Sequence, residues 1–242
     1  GNSGNISIKD KGSVAYLIKS SVLTSGTNFK DNLALTSTSA YTYMSLINHS
    51  MLDYMNTKTI ANDDSIFVNT KDSTVSLLSG TSVTSTNKKV TGVYSENSAV
   101  SNAGILALTG DESSALYGKA GSFLINSGKI TIGKSGSGIY SIDSTGKNNG
   151  EITIGQGSVG MRAEDAIIEN GVAGKILSTG VSALGMSQSG GTQNITNKGA
   201  ITLMGNKSIA LHSEGITSPN HKVINVGNIT VGDSSNILSP SI

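Results

Sequence analysis

A seven-residue phrase that recurs along the chain places the strongest constraint on its fold. Between Asn126 and Met161 it occurs twice, as NSGKITI and NNGEITI, with the two initial asparagines 22 residues apart. Other clear copies begin at Asn2, Asn102, Asn197 and Asn225, and weaker copies span 29–35, 62–68 and 174–178. A regular period of this size is the signature of a repeat architecture, in which each unit packs only on its neighbours.

A second phrase, which starts with serine and continues with apolar and small residues, follows the first in most units. Its copies SVAY, SAYT, SALY, SGIY, SVGM and SIAL begin at Ser13, Ser39, Ser114, Ser137, Ser158 and Ser208. A third, short apolar patch precedes many of the repeat asparagines, as Leu124 and Ile125 do. The order of these patches predicts about nine to ten coils of about 22–28 residues.

Within the first phrase, apolar and polar residues alternate with the period of a β-strand that buries one face. Ile130 and Ile132 then point one way and Thr131 points the other. The residues predicted to form the core in this way are Ile6, Ile8, Ile130, Ile132, Ile152, Ile154, Ile201, Leu203, Ile229 and Val231. Ser7, Thr131, Thr153, Thr202 and Thr230 are expected to form a polar outward ladder. In the second phrase, Val14/Tyr16, Val159/Met161 and Ile209/Leu211 are expected to point inward.

Three short strands per unit, joined by Gly, Asn and Ser turns, predict a triangular coil. A single coil cannot satisfy its own backbone, so each strand must pair in parallel with the strand of the next coil. The fold class predicted is therefore all-β, a parallel β-solenoid. Stacked asparagines at the start of the first phrase can also hydrogen-bond to one another along the rod. We expect residues 1–242 to form one such segment, cut from a longer array.

Residues 39–56 interrupt this pattern. Met44, Ile47, Met51 and Tyr54 recur at helical spacing, which predicts a short helical or irregular insertion. Such an insertion either shields the core or protrudes to bind a partner. The candidate partner-binding residues are Tyr41, Tyr43, Met44, Ile47, His49, Met51, Tyr54 and Met55. Residues 72–100 lack a clean first phrase and are expected to form irregular coils.

Composition and charge disfavour several function classes. The net charge is +1 and there is no basic stripe with interleaved aromatics, so nucleic acid is not an expected partner. Without cysteine there are no disulfides or thiolate metal sites. No apolar run is long enough for a membrane-spanning helix. Asp63 and Asp64 are adjacent and expected to lie in a solvated turn, and the three histidines are isolated. We therefore expect no catalytic residue, metal or cofactor.

The repeats NSGKITIGKSGSGIYSID, NNGEITIGQGSVGMRAED and NKGAITLMGNKSIALHSE resemble the passenger repeats of large type V autotransporter adhesins, most of all those of fusobacteria. The resemblance covers about 102–233 and 2–16. It implies a right-handed parallel β-helix on the bacterial cell surface, held to the outer membrane by a C-terminal β-barrel absent from this sequence. It also implies a monomeric rod with a role in adhesion and virulence, and a host-cell or bacterial surface receptor or glycan as the partner.

Two alternatives to an adhesin remain at this stage. Parallel β-helices also include carbohydrate-active enzymes and phage tailspikes, whose chemistry uses clustered carboxylates. Acidic residues here are few and scattered, which favours a protein that is not an enzyme. The other alternative is a rigid spacer that only provides reach.

Overall fold

The computed structural model describes residues 2–24, 31–219, 221–232 and 236–240, which form β-strands joined by turns and contain no helix. In chain order, the strands are β1 (Asn2–Ile8), β2 (Ser13–Lys19), β3 (Val22–Thr24), β4 (Asp31–Ser37), β5 (Tyr41–Ile47), β6 (Met51–Tyr54), β7 (Thr57–Thr59), β8 (Ile66–Lys71), β9 (Thr74–Leu77), β10 (Ser82–Ser85), β11 (Thr91–Glu96), β12 (Ala99–Asn102), β13 (Ile105–Leu108), β14 (Ser114–Lys119), β15 (Phe123–Asn126), β16 (Lys129–Ile132), β17 (Ser137–Ile142), β18 (Thr145–Asn148), β19 (Glu151–Ile154), β20 (Val159–Glu164), β21 (Ile167–Asn170), β22 (Lys175–Ser178), β23 (Leu184–Ser189), β24 (Ile195–Asn197), β25 (Ala200–Leu203), β26 (Ile209–Glu214), β27 (Val223–Asn225), β28 (Asn228–Val231) and β29 (Asn236–Pro240).

These strands form three long parallel sheets. Sheet A has ten strands, in the order β2-β5-β8-β11-β14-β17-β20-β23-β26-β29. Sheet B has nine, from β3 to β27, and sheet C has eight, from β7 to β28, while β1 and β4 pair separately. From β5 onward, every coil contributes one strand to A, then B, then C. This is a parallel β-solenoid of about nine turns, so the predicted fold class is confirmed.

Equivalent residues of successive coils stack in rows. Ile130 pairs with Ile152 and Thr131 with Thr153 on neighbouring strands of sheet C. Of the ten residues predicted to form the core, Ile8, Ile130, Ile132, Ile152, Ile154, Ile201 and Leu203 are buried, whereas Ile6, Ile229 and Val231 are partly buried against the core. The alternation of the first phrase therefore positions its side chains as a half-buried strand should.

The asparagines that begin the first phrase form a continuous hydrogen-bonded ladder, as predicted. Each side-chain Nδ2 donates to the Oδ1 of the next asparagine at 2.7–2.8 Å. The members are Asn102, Asn126, Asn148, Asn170, Asn197 and Asn225. Asn170 was missed in the sequence because two extra residues separate it from its strand: it binds the carbonyl of Gly174, four residues on, whereas Asn148 binds that of Gly150.

The second phrase bends in sheet A, and this changes which residues face inward. From β11 to β26, the small residue of each coil and the residue after it are both buried, as in Gly138 and Ile139. The strand pairing skips the small residue, so Ser137 pairs with Val159 and Ile139 with Met161. The prediction that Val14, Val159 and Ile209 point inward is wrong, because the bend turns the small residue inward in their place.

The predicted helix over 39–56 is also wrong. These residues contribute β5 to sheet A and β6 to sheet B, in register with the other coils. Their aromatic side chains fill the core. Tyr43 stacks on Phe67 with 5.8 Å between the ring centroids, and Tyr54 packs edge-on against Phe67 with 5.1 Å between the centroids. In these two strands, aromatic side chains stand where most other coils carry a small residue or the ladder asparagine. The helical spacing of Met and Tyr arises from that replacement.

The coils next to this region are regular as well. The sequence predicts a weak copy of the first phrase over 62–68, but Ile66–Lys71 is β8 of sheet A, and the strand of sheet C in this coil is the shorter β7. Residues 72–100 include β9 to β11 and the start of β12, each in its expected sheet. Leu77 and Tyr54 occupy the row that holds the ladder asparagine in later coils. Without that asparagine, the position of these coils could not be recognised in the sequence.

Candidate functional site

Four of the eight residues predicted to bind a partner are buried. Tyr41, Tyr43, Met44 and Tyr54 lie in the core, where a partner would reach them only after unfolding. Ile47 is half-buried, and His49, Met51 and Met55 are exposed. Fewer of these residues are therefore accessible to a partner than the sequence suggested.

The structure instead brings three tyrosines together on the outer face of sheet A. Tyr94, Tyr117 and Tyr140 occupy one row of neighbouring strands, and Arg162 continues that row on the next coil. The ring centroids of Tyr94 and Tyr117 are 5.1 Å apart and the rings are nearly parallel. Those of Tyr117 and Tyr140 are 4.9 Å apart and inclined at 71°. We call these four residues the aromatic row.

The side chains of the aromatic row are partly accessible to solvent: the three tyrosines are half-buried and Arg162 is exposed. The near-parallel stack covers facing ring surfaces of Tyr94 and Tyr117, and the Arg162 guanidinium lies 4.8 Å from the ring centroid of Tyr140. Tyrosine and arginine combine a large apolar body with hydrogen-bonding groups, and they dominate the energetics of many interfaces. The row therefore has the chemistry of a recognition surface, with half-buried tyrosine side chains that pack on one another.

A charged group holds the C-terminal end of the row. The Tyr140 hydroxyl donates a hydrogen bond to Glu164 Oε1, and Arg162 Nη2 donates to the same oxygen at 3.1 Å. Burial and then the hydrogen bond to Glu164 raise the pKa of Tyr140 to about 12. Burial also raises the pKa of Tyr117, and the neighbouring Tyr94 adds to this. Both hydroxyls therefore stay protonated at neutral pH.

A second charged group supports the N-terminal end. Glu96 lies between Lys71 and Lys119, with N–O distances of 2.7 and 3.3 Å, on three successive strands of sheet A. Hydrogen bonds from Lys71 and then Lys119 lower the pKa of Glu96. Lys119 Nζ is 5.5 Å from the Tyr94 ring centroid, and hydrogen bonding to Tyr94 and then Glu96 raises the pKa of Lys119. The lysines are thus held along the row.

The sequence contained a signal for the aromatic row that the phrase alignment obscured. The three tyrosines are spaced by 23 residues, which is one coil. Aligning the phrases on their serines made Tyr117 and Tyr140 equivalent to Tyr16 and Met161. In the structure Tyr140 pairs with Arg162, one position later, whereas Met161 is fully buried. A shift of one residue along a strand moves a side chain to the opposite face.

The carboxylates that the structure describes do not form a cluster suited to metal-dependent chemistry. Among the side chains the structure describes, no three His, Asp or Glu residues lie close enough to hold a metal ion. Asp63 accepts a hydrogen bond from the Lys88 amide at 2.9 Å in an exposed turn, and Asp64 has a left-handed φ of 56°. Both residues act as turn residues, since Asp tolerates this conformation better than most.

The three histidines lie at different places in the fold and do not form a cluster. His212 lies on the outer face of sheet A, with Nδ1 3.2 Å from Ser187 Oγ. His221 Nε2 is 3.0 Å from the oxygen of the buried Ser213, and its Nδ1 contacts the Gln193 carbonyl. Because adjacent residues 212 and 213 point to opposite faces, the two imidazoles do not combine into a site. His49 is exposed near one end of sheet B.

The part of the chain that the structure describes has no helix that is long and apolar enough to cross a membrane. A family model described as the BigA third pectate lyase-like domain matches residues 1–237. No curated protein and no solved structure matches the chain. The family match is consistent with a right-handed β-helix.

Proposed function

The chain belongs to the family of the BigA third pectate lyase-like domain, and on that premise we propose that it is a rigid segment of an extracellular adhesin passenger. BigA is an autotransporter-like surface protein, which supports a location on a bacterial cell surface. The segment binds a receptor or glycan on a host cell or another bacterium. It works as a monomeric rod without a cofactor and does not bind nucleic acid.

The observation that carries this proposal is the aromatic row. Three tyrosines and an arginine on four successive coils give a linear surface along the outer face of sheet A. Because the neighbouring side chains and ion pairs hold these rings in place, binding costs little side-chain entropy. A surface of this kind fits a ligand that lies along several coils.

The absence of catalysis is part of the same proposal. Glu96, Glu151, Glu164 and Glu169 each form a salt bridge with lysine or arginine, so their charges are already compensated. A polysaccharide-degradation assay with the purified chain tests this point. Turnover of any polysaccharide would contradict it and favour the enzyme alternative.

The binding test compares the intact chain with two matched triple variants on glycan arrays and on host and bacterial cells. Tyr94→Ser, Tyr117→Ser and Tyr140→Ser remove the rings, whereas Thr131→Ala, Thr153→Ala and Thr202→Ala alter an outward row of sheet C. We expect loss of about ten-fold or more in affinity for the tyrosine variant alone, since buried tyrosine contacts dominate such interfaces. Thermal unfolding of each variant confirms that it folds.

Two results would contradict this assignment. Equal binding by the folded tyrosine variant and the wild type would remove the aromatic row as the site. No binding by any form would leave the spacer function.

A further inference from the structure

A second surface runs along sheet B, beside the turns that enter it from sheet A. In each coil, one rim residue, one buried residue and one outward residue follow in sequence, as in Asp72-Ser73-Thr74. The rim residues are His49, Asp72, Asn97, Gly121, Asp143 and Asp165. The outward residues, which we call the wall, are Met51, Thr74, Ala99, Phe123, Thr145 and Ile167, and they stack in one row. Two separate concave stretches lie along these rows, one from His49 to Ala99 and one from Gly121 to Ile167, and Phe123 lies between them in the wall row. We call the two stretches together the groove.

The floor of the groove has its polar groups satisfied. Its serines are buried, and most of them accept a hydrogen bond from the coil before: Ser50 N donates to Ser73 Oγ and Ser73 N donates to Ser98 Oγ, both at 3.1 Å. The hydroxyl of Ser144 instead donates to the Gly118 carbonyl at 3.1 Å. The Ser98 amide donates to Ser122 Oγ at 3.3 Å. Recognition in the groove therefore depends on the rim and wall.

The wall exposes apolar side chains. Met51, Phe123 and Ile167 are 45%, 45% and 46% exposed, and smaller residues separate them. Large apolar groups repeated in one row on the surface mark interaction sites more often than isolated ones do. The exposed methionine and phenylalanine leave apolar area that a ligand would remove from water.

The rim carries negative charge. Asp72, Asp143 and Asp165 lie on it, and their carboxylates form no salt bridge with any side chain the structure describes. Rim, floor and wall contain no lysine or arginine.

Three lysines close in sequence to groove residues are paired with glutamates. Lys71 and Lys119 bind Glu96, and Lys147 binds Glu169 at 2.9 Å. The groove thus has one acidic side and one apolar side.

We propose that this groove binds an extended polypeptide segment in which basic and apolar residues alternate. In an extended chain successive side chains point to opposite sides, so a segment lying along the groove directs apolar side chains to the wall and basic ones to the rim. Five coil spacings separate Met51 from Ile167, about 24 Å, and this length holds about seven extended residues. Charge complementarity with the aspartates orients the segment.

This site lies on a different sheet from the aromatic row and does not depend on it. The first test measures binding of three ten-residue peptides to the whole chain by fluorescence anisotropy: alternating Lys-Val, alternating Glu-Val and alternating Lys-Ser. The Lys-Val peptide is expected to bind about ten-fold more tightly than either other peptide, because only it matches both sides. Its affinity should fall as salt is raised from low to physiological concentration.

The second test changes the rim and wall. The double variant Asp143→Asn, Asp165→Asn should weaken Lys-Val binding about five-fold or more, because asparagine keeps the turn and removes the charge. Phe123→Ser should weaken it similarly by removing apolar wall area. The matched control is Asp63→Asn, Asp64→Asn, an aspartate pair in an exposed turn on another corner, which should leave binding unchanged.

The outcomes separate this inference from the proposed adhesin function. Equal affinity for the Lys-Val and Glu-Val peptides, or unchanged binding by the Asp143→Asn, Asp165→Asn variant, would overturn it. So would displacement of the peptide by a neutral glycan at similar concentration. Failure of the peptide tests with retained cell binding would overturn the groove alone. Loss of cell binding in the tyrosine variant with retained peptide binding would support the groove as an independent site.

Discussion

Asn126 Nδ2 donates a 2.8 Å hydrogen bond to Asn148 Oδ1 on the next coil, and both side chains are fully buried. Every bond of this ladder runs in the same direction, from one coil to its C-terminal neighbour. The same Nδ2 groups also contact backbone carbonyls near the turn, as Asn148 does with Gly150. The ladder therefore links adjacent coils and holds each corner in place.

Asn148→Ala is expected to lower the free energy of unfolding by about 2–4 kcal/mol, because it removes the acceptor of Asn126 and the donor to Asn170 inside the protein. Urea unfolding followed by circular dichroism measures this change. Asn149→Ala, which alters the adjacent residue outside the ladder, should change stability by no more than about 0.5 kcal/mol. Equal effects of the two substitutions would show that the ladder contributes little.

Gly160→Ala is expected to destabilise the protein by about 1–3 kcal/mol through overpacking. A Cβ at this position would lie 2.6 Å from the Gly185 carbonyl oxygen and 2.6 Å from Ile176 Cγ2. Chemical denaturation of the single variant gives the cost.

A double-mutant cycle with Ile176→Ala tests the mechanism. Removing the Ile176 side chain opens space for the new methyl group. The double variant should therefore lose less stability than the sum of the losses in the two single variants. Strict additivity would contradict direct contact between the two positions.

Tyr140 should titrate near its raised pKa of about 12, well above the ordinary value of 10.0. Because the pKa is raised in the folded state, the protonated form is favoured there. The resulting stabilisation is complete below pH 10 and is lost as the pH rises from about 10 towards 12. Ultraviolet absorbance of tyrosinate during alkaline titration measures this pKa.

Two variants assign that titration. Tyr140→Phe should abolish the step near pH 12, and Glu164→Gln should move it to lower pH by removing the negative partner of the hydroxyl. An unchanged titration in Glu164→Gln would contradict the assigned interaction.

Tyr43→Ala is expected to cost about 3–5 kcal/mol of stability, as truncation of a buried aromatic residue does. The ring is 0% exposed, stacks on Phe67, and has Lys58 Nζ 4.2 Å from its centroid. Thermal and urea unfolding measure the loss. Met55→Ser, at an exposed position of the same region, is the control and should leave stability within about 0.5 kcal/mol. A neutral Tyr43→Ala would restore the view of 39–56 as a separate surface segment.

The fold could be predicted from the sequence because the same local pattern is repeated in several coils. The interval between Asn126 and Asn148, and the alternation of Ile130, Thr131 and Ile132, recur in several units. Each copy supplies the same information about strand face and coil length, so errors at one unit are corrected by others. The coil stack, the Asn ladder and the inner face of sheet C followed from it.

The errors arose where core residues of different coils compensate for one another in size. Gly138 and Gly160 leave room for Ile152 and Ile176, whereas Tyr43 and Phe67 occupy the same row in N-terminal coils. The facing strand there carries Lys58 and Val83 in place of the paired isoleucines. The residues that compensate for one another in size lie on different coils and are far apart in the sequence. The spacing of Met and Tyr within residues 39–56 does not show this compensation and therefore suggested a helix.

The repeat period and the two-residue alternation were enough to establish a stack of three-stranded parallel coils, because both are local properties that every unit restates. Contacts between coils decided which side chains face solvent. The bend in sheet A shifts Tyr140 outward and Met161 inward, and only pairing between strands shows that shift. The aromatic row depends on this bend, and the groove depends on the turns between sheets A and B. Both are assembled from single residues about one coil apart in the sequence.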